Sequence, residues 1–157
     1  MAVIDRRELI LVRLFEICQG FSTDVPLRRI HRNRTNISGK AGPAIVLMDG
    51  IEDAVNEPTA RRAGKVYASY NIAMLPKIQL FDYGSHEEIG QKLNALRLKM
   101  IIRVQDDDQL IAIGGTSYGL VQYMGCEPEI ETGEKAEGRI DVKFAIHYPL
   151  IASEIRP

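Results

Sequence analysis

The sequence predicts an α+β fold in which two main helices pack on one face of a mainly antiparallel or mixed sheet of four to five strands. Two capping-box motifs open segments with helical spacing, and several other segments are alternating or wholly apolar, as strands are. The resulting order is α, β, β, loop, β, α, β, β. Two helices set among antiparallel strands pack most economically as two layers, one of helices and one of sheet.

The size and composition predict one globular domain that spans residues 1–157. Hydrophobic residues make up 45% of the chain and charged residues 26%, which is typical of a folded protein and not of a disordered one. No apolar run approaches the roughly 20 residues that cross a bilayer. The two cysteines, Cys18 and Cys126, lie far apart without metal-binding or redox spacing, so we expect both thiols to be idle.

The first helix is predicted to begin after Asp5 and to end near Gly20. Asp5 can accept hydrogen bonds from the first-turn amides, and Glu8 stands three residues later as in a capping box. Only three positions, Arg13, Glu16 and Gln19, leave a polar stripe on this helix. Because one sheet face cannot cover so many apolar positions, we expect part of the helix to contact another subunit.

Two strands and a long loop are predicted next. Residues 25–32 are predicted as a strand with charged residues on one side. Residues 43–48, Pro-Ala-Ile-Val-Leu-Met, are typical of a central strand buried on both faces, and Asp49-Gly50 predicts a turn after it. Residues 51–66 are polar and predict a long loop, and structureless loops beyond about 12 residues are usually functional or disordered.

The middle of the chain predicts a strand followed by the second helix. Residues 72–80 alternate, and Pro76, which has no amide proton, indicates an edge strand or a strand start. Ser85 and Glu88 form the second capping box, and the apolar spacing after it predicts a helix that ends near Val104.

The last part of the chain predicts two further strands. A strand is expected around residues 120–124, after the glycines at 114 and 115. The clearest strand of the chain comes last and is predicted to be antiparallel and half-solvated, because it alternates strictly. Its apolar face comprises Ile140, Val142, Phe144, Ile146 and Tyr148.

No motif predicts catalysis, a metal or a cofactor. Residues 114–117, Gly-Gly-Thr-Ser, lack the spaced glycine and the lysine of a phosphate loop. Residues 106–108 are three consecutive aspartates, which we interpret as a solvated helix end. Asp49, Glu52 and Asp53 lack the lysine-bearing strand segment expected of a two-metal nuclease. We therefore expect that the protein is not an enzyme.

The net charge of −1 hides two oppositely charged segments. Residues 25–48 contain no Asp or Glu, and their cations are Arg28, Arg29, Arg32, Arg34 and Lys40. Residues 127–141 are rich in acid, with Glu127, Glu129, Glu131, Glu134, Glu137 and Asp141. The pair of segments is open to three interpretations: a nucleic-acid footprint, an ordinary solvated surface, or a self-complementary protein. Copies joined head to tail through unlike flanks close into rings or run on as filaments, and the apolar first helix favours this third interpretation.

An ordered set of short segments across nearly the whole chain resembles the tail-terminator proteins (lambda-type minor tail proteins) of long-tailed phages and gene transfer agents. The segments are Asp5-Arg6-Arg7-Glu8-Leu9-Ile10-Leu11, Arg32-Asn33-Arg34, Pro43-Ala44-Ile45-Val46-Leu47-Met48-Asp49-Gly50 with Glu52, Met74-x-Pro76, Leu93-Asn94-x-Leu96-Arg97, Asp108-x-Leu110, Tyr123-x-Gly125-Cys126-Glu127 and Tyr148-Pro149-Leu150. Each segment is short, and it is their order along the chain that carries the resemblance.

The resemblance implies a structural virion protein. Members of the family are α+β subunits that close into a hexameric ring on the end of the tail tube, stop its polymerisation and offer a surface to the head–tail connector protein. DNA passes through the ring without sequence-specific binding, and no cofactor is used. The implied location is the tail end at the head–tail junction, after assembly in the host cytoplasm.

Three groups of residues are the expected contacts with a neighbouring subunit or with the tube protein. The first is the basic group before the buried strand, the second lies in or beside the predicted loop, and the third is the acidic segment, proposed as the complement of the first. They are Arg28, Arg29, Arg32 and Arg34; Glu52, Arg61 and Arg62; and Glu127, Glu129 and Glu131.

Two other functions stay open at the level of sequence. A head-completion or neck connector protein is also a ring-forming virion protein without enzymatic chemistry. A small nucleic-acid-binding domain would use the arginines against phosphates, although few aromatic residues accompany them and the acidic segment opposes tight binding.

Overall fold

The computed structural model describes residues 3–55, 61–62, 65–66, 70–114, 120–130 and 135–151. These residues form an α+β fold, as predicted. The helices are α1 (Arg6–Gln19), α2 (His86–Gln105) and α3 (Asp108–Gly114). The strands are β1 (Ile30–Arg32), β2 (Ala44–Ala54), β3 (Arg61–Arg62), β4 (Lys65–Val66), β5 (Tyr70–Ser85), β6 (Val121–Ile130) and β7 (Lys135–Leu150).

Five of these strands form one mixed sheet in the order β1-β2-β5-β7-β6. β1 runs parallel to β2, and the other neighbours are antiparallel. β3 and β4 pair only with each other. The three helices pack against one face of the sheet, where alternate residues of β5 and β7, such as Ile78 and Val142, join a single buried core with the helices. The predicted two-layer packing is confirmed.

The first helix is confirmed, including its cap. The Asp5 side chain accepts a hydrogen bond from the Glu8 backbone amide at 3.0 Å, and the helix ends at Gly20. Its buried residues are Ile10, Leu11, Leu14, Ile17 and Cys18. On the opposite side of α1, Leu9 and Val12 are 49% and 44% exposed, so the sheet indeed leaves part of this apolar helix uncovered.

The strand predicted over residues 25–32 is much shorter in the structure. Residues Leu27–Arg29 form a 3₁₀ turn in which the Arg29 amide bonds to the Pro26 carbonyl, and only β1 belongs to the sheet. Pro26 pre-sets a turn-forming backbone angle, which explains why strand pairing starts only at Ile30. Residues 33–43 then cross to β2, and Asn33 and Asn36 adopt positive φ angles of 53° and 60° on this crossover.

The turn predicted at Asp49-Gly50 is a bulge within β2, and this is the largest correction to the predicted fold. The strand continues to Ala54, with its register to β5 shifting between Met48 and Ile51. The loop predicted over residues 51–66 is therefore wrong for residues 51–54, and residues 61–62 and 65–66 are short strands. Polar composition misled the prediction, because exposed strand residues are polar as well.

Pro76 lies in β5, an inner strand, and not at an edge as predicted. It faces the β2 bulge, and Leu75 and Pro76 also have no ladder partner in β7, although the register with β7 is the same on both sides of them. A proline is tolerated inside a sheet at such an irregularity because no ladder hydrogen bond is lost.

The second half of the chain follows the prediction with longer strands. Ser85 caps α2 by accepting a hydrogen bond from the Glu88 amide, and α2 ends at the predicted acidic residues. β6 extends to Ile130, well beyond the predicted residue 124, with a bulge at Gly125. Among the helices of the described residues, none has the length and apolar character needed to span a membrane.

We predict that Gly50→Ala destabilises the protein by about 3 kcal/mol or more, because Gly50 has a φ of +72° and an added Cβ would lie 2.0 Å from the Leu75 carbonyl oxygen. Gly90→Ala is the matched control, since nothing lies within 4 Å of its added Cβ in the middle of α2. This control should stabilise the protein by about 0.5–1 kcal/mol. Denaturant unfolding measures both, and equal effects of the two substitutions would contradict the role assigned to the bulge.

Candidate functional site

Arg32, one of the predicted contact residues, forms ion pairs with two carboxylates of its own chain. Its guanidinium donates to both carboxylate oxygens of Glu8 at 2.8 and 2.9 Å, and to both carboxylate oxygens of Asp49 at 2.9 Å. We call this arrangement the Arg32 clamp. It joins β1 to the first turn of α1 and to the bulge of β2. Its hydrogen bonds lower the pKa values of the Glu8 and Asp49 carboxyl groups.

The other three arginines of the basic segment have no carboxylate partner among the described residues. Arg29 is half-buried and donates to the carbonyl oxygens of Ser38 and Gly42 at 2.6 and 3.2 Å, which holds the crossover against β1. Arg28 and Arg34 are exposed and make no hydrogen bond or ion pair with described residues. The positive charges of these three side chains are therefore not neutralised by a described acid.

Glu52 is also engaged within the chain. It accepts a hydrogen bond from the Tyr148 hydroxyl at 2.5 Å and lies 3.4 Å from the Arg7 guanidinium, which also donates to the Gly50 carbonyl. Burial, followed by the bond to Glu52, raises the pKa of Tyr148 above its usual range. With Asp49 held by Arg32 and Glu52 by Arg7, the carboxylates near the bulge are occupied by cations of the protein itself.

The acidic segment does not present free carboxylates as a block. Glu127 pairs with Lys143 at 2.5 Å, and Glu129 pairs with Arg139 at 2.7 Å. Glu137 accepts a hydrogen bond from the Gly39 amide at 2.6 Å, which attaches the crossover to β7. Within the described residues, Glu127 and Glu129 of the proposed complement are thus paired with cations of their own chain.

The side chains of three predicted contact residues lie outside the described part of the structure. The backbone of Arg61 and Arg62 forms β3, and Glu131 lies outside the described residues, as do Glu134 and part of the predicted loop.

One face of the sheet carries no described helix. We call it the outer face, and it includes Lys77, Gln79, Asp141 and Lys143 of the paired strands β5 and β7. The crossover covers one end of it, where Ile37 packs near Ala44, Val46 and Phe81. In the middle, Asp141 is buried between Arg139 and Lys77, at 3.0 and 3.5 Å.

Farther along the outer face lies a shallow, mainly apolar groove of about 320 Å³. It is lined by Leu75, Pro76, Lys77, Met124, Lys143 and Phe144. Leu75 and Met124 are 37% and 56% exposed, so the groove adds apolar surface at the two bulges of the sheet. Its shape and lining suit a protein side chain better than a charged metabolite.

The described residues contain no candidate metal centre. No three His, Cys, Asp or Glu side chains among them are placed to hold a metal ion. Cys18 is completely buried, and burial raises the pKa of its thiol to about 12. Asp107 pairs with Arg13 at 2.6 Å, and this contact lowers the pKa of Asp107. The same carboxylate accepts a hydrogen bond from the Leu110 amide at the start of α3.

The sequence did not predict that Glu8 and Asp49 pair with Arg32, or that Arg7 pairs with Glu52. A local signal for them was absent, because Arg32 meets Glu8 across 24 positions and Asp49 across 17. No family model matches the chain, and no curated protein matches it either. The assignment of a function therefore depends on the residues and their geometry.

We predict that Arg32→Gln lowers the free energy of unfolding by about 1–2 kcal/mol, because it leaves the partly buried Asp49 and the exposed Glu8 without their cation, and solvent screens the pair with Glu8. Arg28→Gln is the control and should change it by less than about 0.5 kcal/mol, since the Arg28 side chain is exposed and forms no hydrogen bond or ion pair with described residues.

The clamp also predicts a dependence on pH. Because Arg32 lowers the folded-state pKa values of Glu8 and Asp49, its contribution is present above about pH 4 and is lost as the pH falls through the lowered values. The free energy of unfolding measured in urea should therefore change less between pH 7 and pH 3 for Arg32→Gln than for the parent chain. The same pH-dependent change in both proteins would contradict the role assigned to the Arg32 clamp.

Proposed function

We propose that this chain is a structural virion protein that forms a homo-oligomeric ring on the end of a phage-type tail tube, ends polymerisation of the tube and provides the joint to the head connector. A ring of six subunits is what the resemblance to tail terminators implies. The proposed partners are further copies of the chain, the tail tube protein and the connector protein, with DNA passing through the ring.

The observation that carries this proposal is the apolar surface left exposed on the helix layer. Leu9 and Val12 lie one turn apart on α1, and Leu98 and Ile102, 54% and 51% exposed, lie one turn apart on α2. We call these pairs the apolar ridges. A surface helix of a monomer normally turns polar residues outward, so paired apolar residues on two helices indicate a protein contact.

The outer face of the sheet supports the same proposal. The apolar groove beside Leu75 and Met124 lies on the layer opposite the apolar ridges. A subunit with two unlike apolar surfaces on opposite layers is suited to heterologous contacts, which generate closed rings or open filaments and not simple two-fold dimers. A protein that caps a tube needs contacts of this kind.

The excursion between β2 and β5 is the proposed contact with the tube protein. It leaves and re-enters the sheet at one end, where the Val55 amide bonds to the Asn71 carbonyl. β3 and β4 pair with each other and with no other described strand, so they form a separate small hairpin. Arg61 and Arg62 belong to this hairpin and stay our candidates for the tube contact.

The decisive experiment is electron microscopy of tails made with and without this protein. We predict overlong tubes without heads in its absence, and tubes of normal length joined to heads when it is supplied. Purified protein that binds tailless heads but not headless tails would instead identify a neck connector. Tubes of normal length in its absence would contradict the proposal.

Variants of the apolar ridges test the surface that carries the proposal. Val12→Lys with Leu98→Lys should abolish tube capping, because each places a charge in a contact that must lose water. Gln91→Lys adds a charge to an exposed polar position of α2 and is the matched control. Normal capping by the double variant, with folding verified by circular dichroism, would show that the apolar ridges are not part of the interface.

A further inference from the structure

The edge of the sheet at β1 carries a strip of basic residues that no described acid neutralises. We call it the basic strip, and it comprises Arg28, Arg29, His31, Arg34 and Lys40. Four of these residues carry a formal positive charge, and Arg28, Arg34 and Lys40 are exposed. Residues 25–48 contain no acidic residue, so none can pair with the strip from within its own segment.

The members of the strip are close in space as well as in sequence. Arg29 donates to Ser38 and Gly42, and so brings the start of β1 beside the 3₁₀ turn Gly39–Ala41 that carries Lys40. His31 lies between Arg29 and Arg34. Burial and the positive charges of Arg34 and Arg29 lower the pKa of His31, which shows that the two arginines act on the same point of the edge.

The described acids that border the strip form no ion pair with its cations. Asp49 is held by the Arg32 clamp at one end. At the other end, Glu137 accepts the Gly39 amide, and Asp82 accepts the Tyr83 amide. Glu127 and Glu129, which would have been part of the complement in a second copy, pair with Lys143 and Arg139 of their own chain. Glu137 and Asp82 keep their negative charge, because a backbone amide does not neutralise a carboxylate. Four cations against these two carboxylates leave the strip with a net positive charge, which suits an external anion.

The side chains between the cations indicate what kind of anion fits. The exposed residues among them, Asn33, Thr35, Asn36 and Ser38, are all polar. Protein interfaces place aromatic and apolar anchors at their centres, and single-stranded nucleic acids are bound by stacking on aromatic side chains. The segment from 28 to 40 contains no aromatic residue other than His31. A row of cations among hydrogen-bonding side chains matches the phosphate backbone of a duplex, which is bound without reading the sequence.

We propose that the basic strip binds the phosphate backbone of double-stranded DNA, through Arg28, Arg29, Arg34 and Lys40 and without sequence preference. The inference depends on the proposed function only in taking DNA as the polyanion, because DNA passes through the proposed ring. In the assembled ring the strip would then contact the passing duplex.

The experiment is a titration of the purified full chain with a fluorescent 30-base-pair duplex at 20 to 200 mM salt. Binding should weaken with salt along a slope of log K against log salt of up to about −3.6, about −0.9 for each of four phosphate contacts. Duplexes of different sequence should bind with equal affinity. No binding at 20 mM salt overturns the proposal.

Charge-removing variants locate the binding surface. Arg34→Gln and Lys40→Gln should each reduce the slope by about 0.9, and the double variant by about 1.8. Both side chains are exposed and without side-chain partners among the described residues, so these variants should fold normally. Lys143→Gln is the matched control because it removes one charge from the outer face of the sheet and should leave the slope unchanged. Equal effects of the three single variants would overturn the assignment to the strip.

A competing polyanion separates DNA from an acidic protein partner. Polyglutamate of matched charge should displace the duplex only weakly; if polyglutamate binds and the duplex does not, the strip serves an acidic protein segment and the proposal fails. These measurements use the free chain, so a negative result leaves the tail-length experiment unaffected. Conversely, tails of normal length without the protein would refute the ring and leave measured DNA binding in place.

Discussion

The Arg32 clamp is the interaction on which the arrangement of the first third of the chain depends. β1 is only three residues long and lies at the edge of the sheet, so three ladder pairs with β2 hold it weakly. Four hydrogen bonds from Arg32 to Glu8 and Asp49 attach this edge to α1 and to the β2 bulge. Charge-assisted, bidentate contacts of this kind are stronger than neutral ones and fix geometry as well as distance. The position of Arg32 at the end of β1 is thus explained by the need to anchor a short edge strand.

The bulge supplies the second half of this junction. Gly50 adopts a positive φ that lets β2 continue past Asp49, and the continuation brings Glu52 to Arg7 and Tyr148. Two successive arginine contacts therefore tie the start of α1 to both sides of one irregularity in the sheet. These contacts fix the start of α1 against the sheet. A helix that offers Leu9 and Val12 to a partner loses less entropy on binding when it is already fixed.

The sequence was sufficient for those features that depend on local chemistry or on short periods. Asp5 and Ser85 capped the predicted helices because capping needs only residues three positions apart, and the alternation of β7 followed from its period of two. Three other features depend on contacts between residues that are far apart in the sequence. A polar strand and a loop look alike in composition, as residues 51–54 show. The bulge that admits Pro76 to an inner strand depends on a glycine in another strand. Most importantly, the pairing of Glu127 with Lys143 and of Glu129 with Arg139 depends on the register of β6 against β7, which no linear charge pattern contains.

This internal pairing changes what kind of force can hold copies of the chain together. Had the acidic and basic segments been free, subunits could have joined through charge, and their association would have weakened strongly with salt. With Glu127 and Glu129 paired inside each chain, the described surfaces best suited to association are the apolar ridges and the apolar groove, whose burial is favoured by the hydrophobic effect and is not weakened by ordinary salt. The basic strip, by contrast, has kept its charge and can act only through electrostatics. Salt concentration therefore separates the two proposed activities: ring contacts should persist at salt concentrations at which contacts with phosphate are lost, and a capped tube could hold its subunits firmly while DNA moves past a surface that binds it weakly.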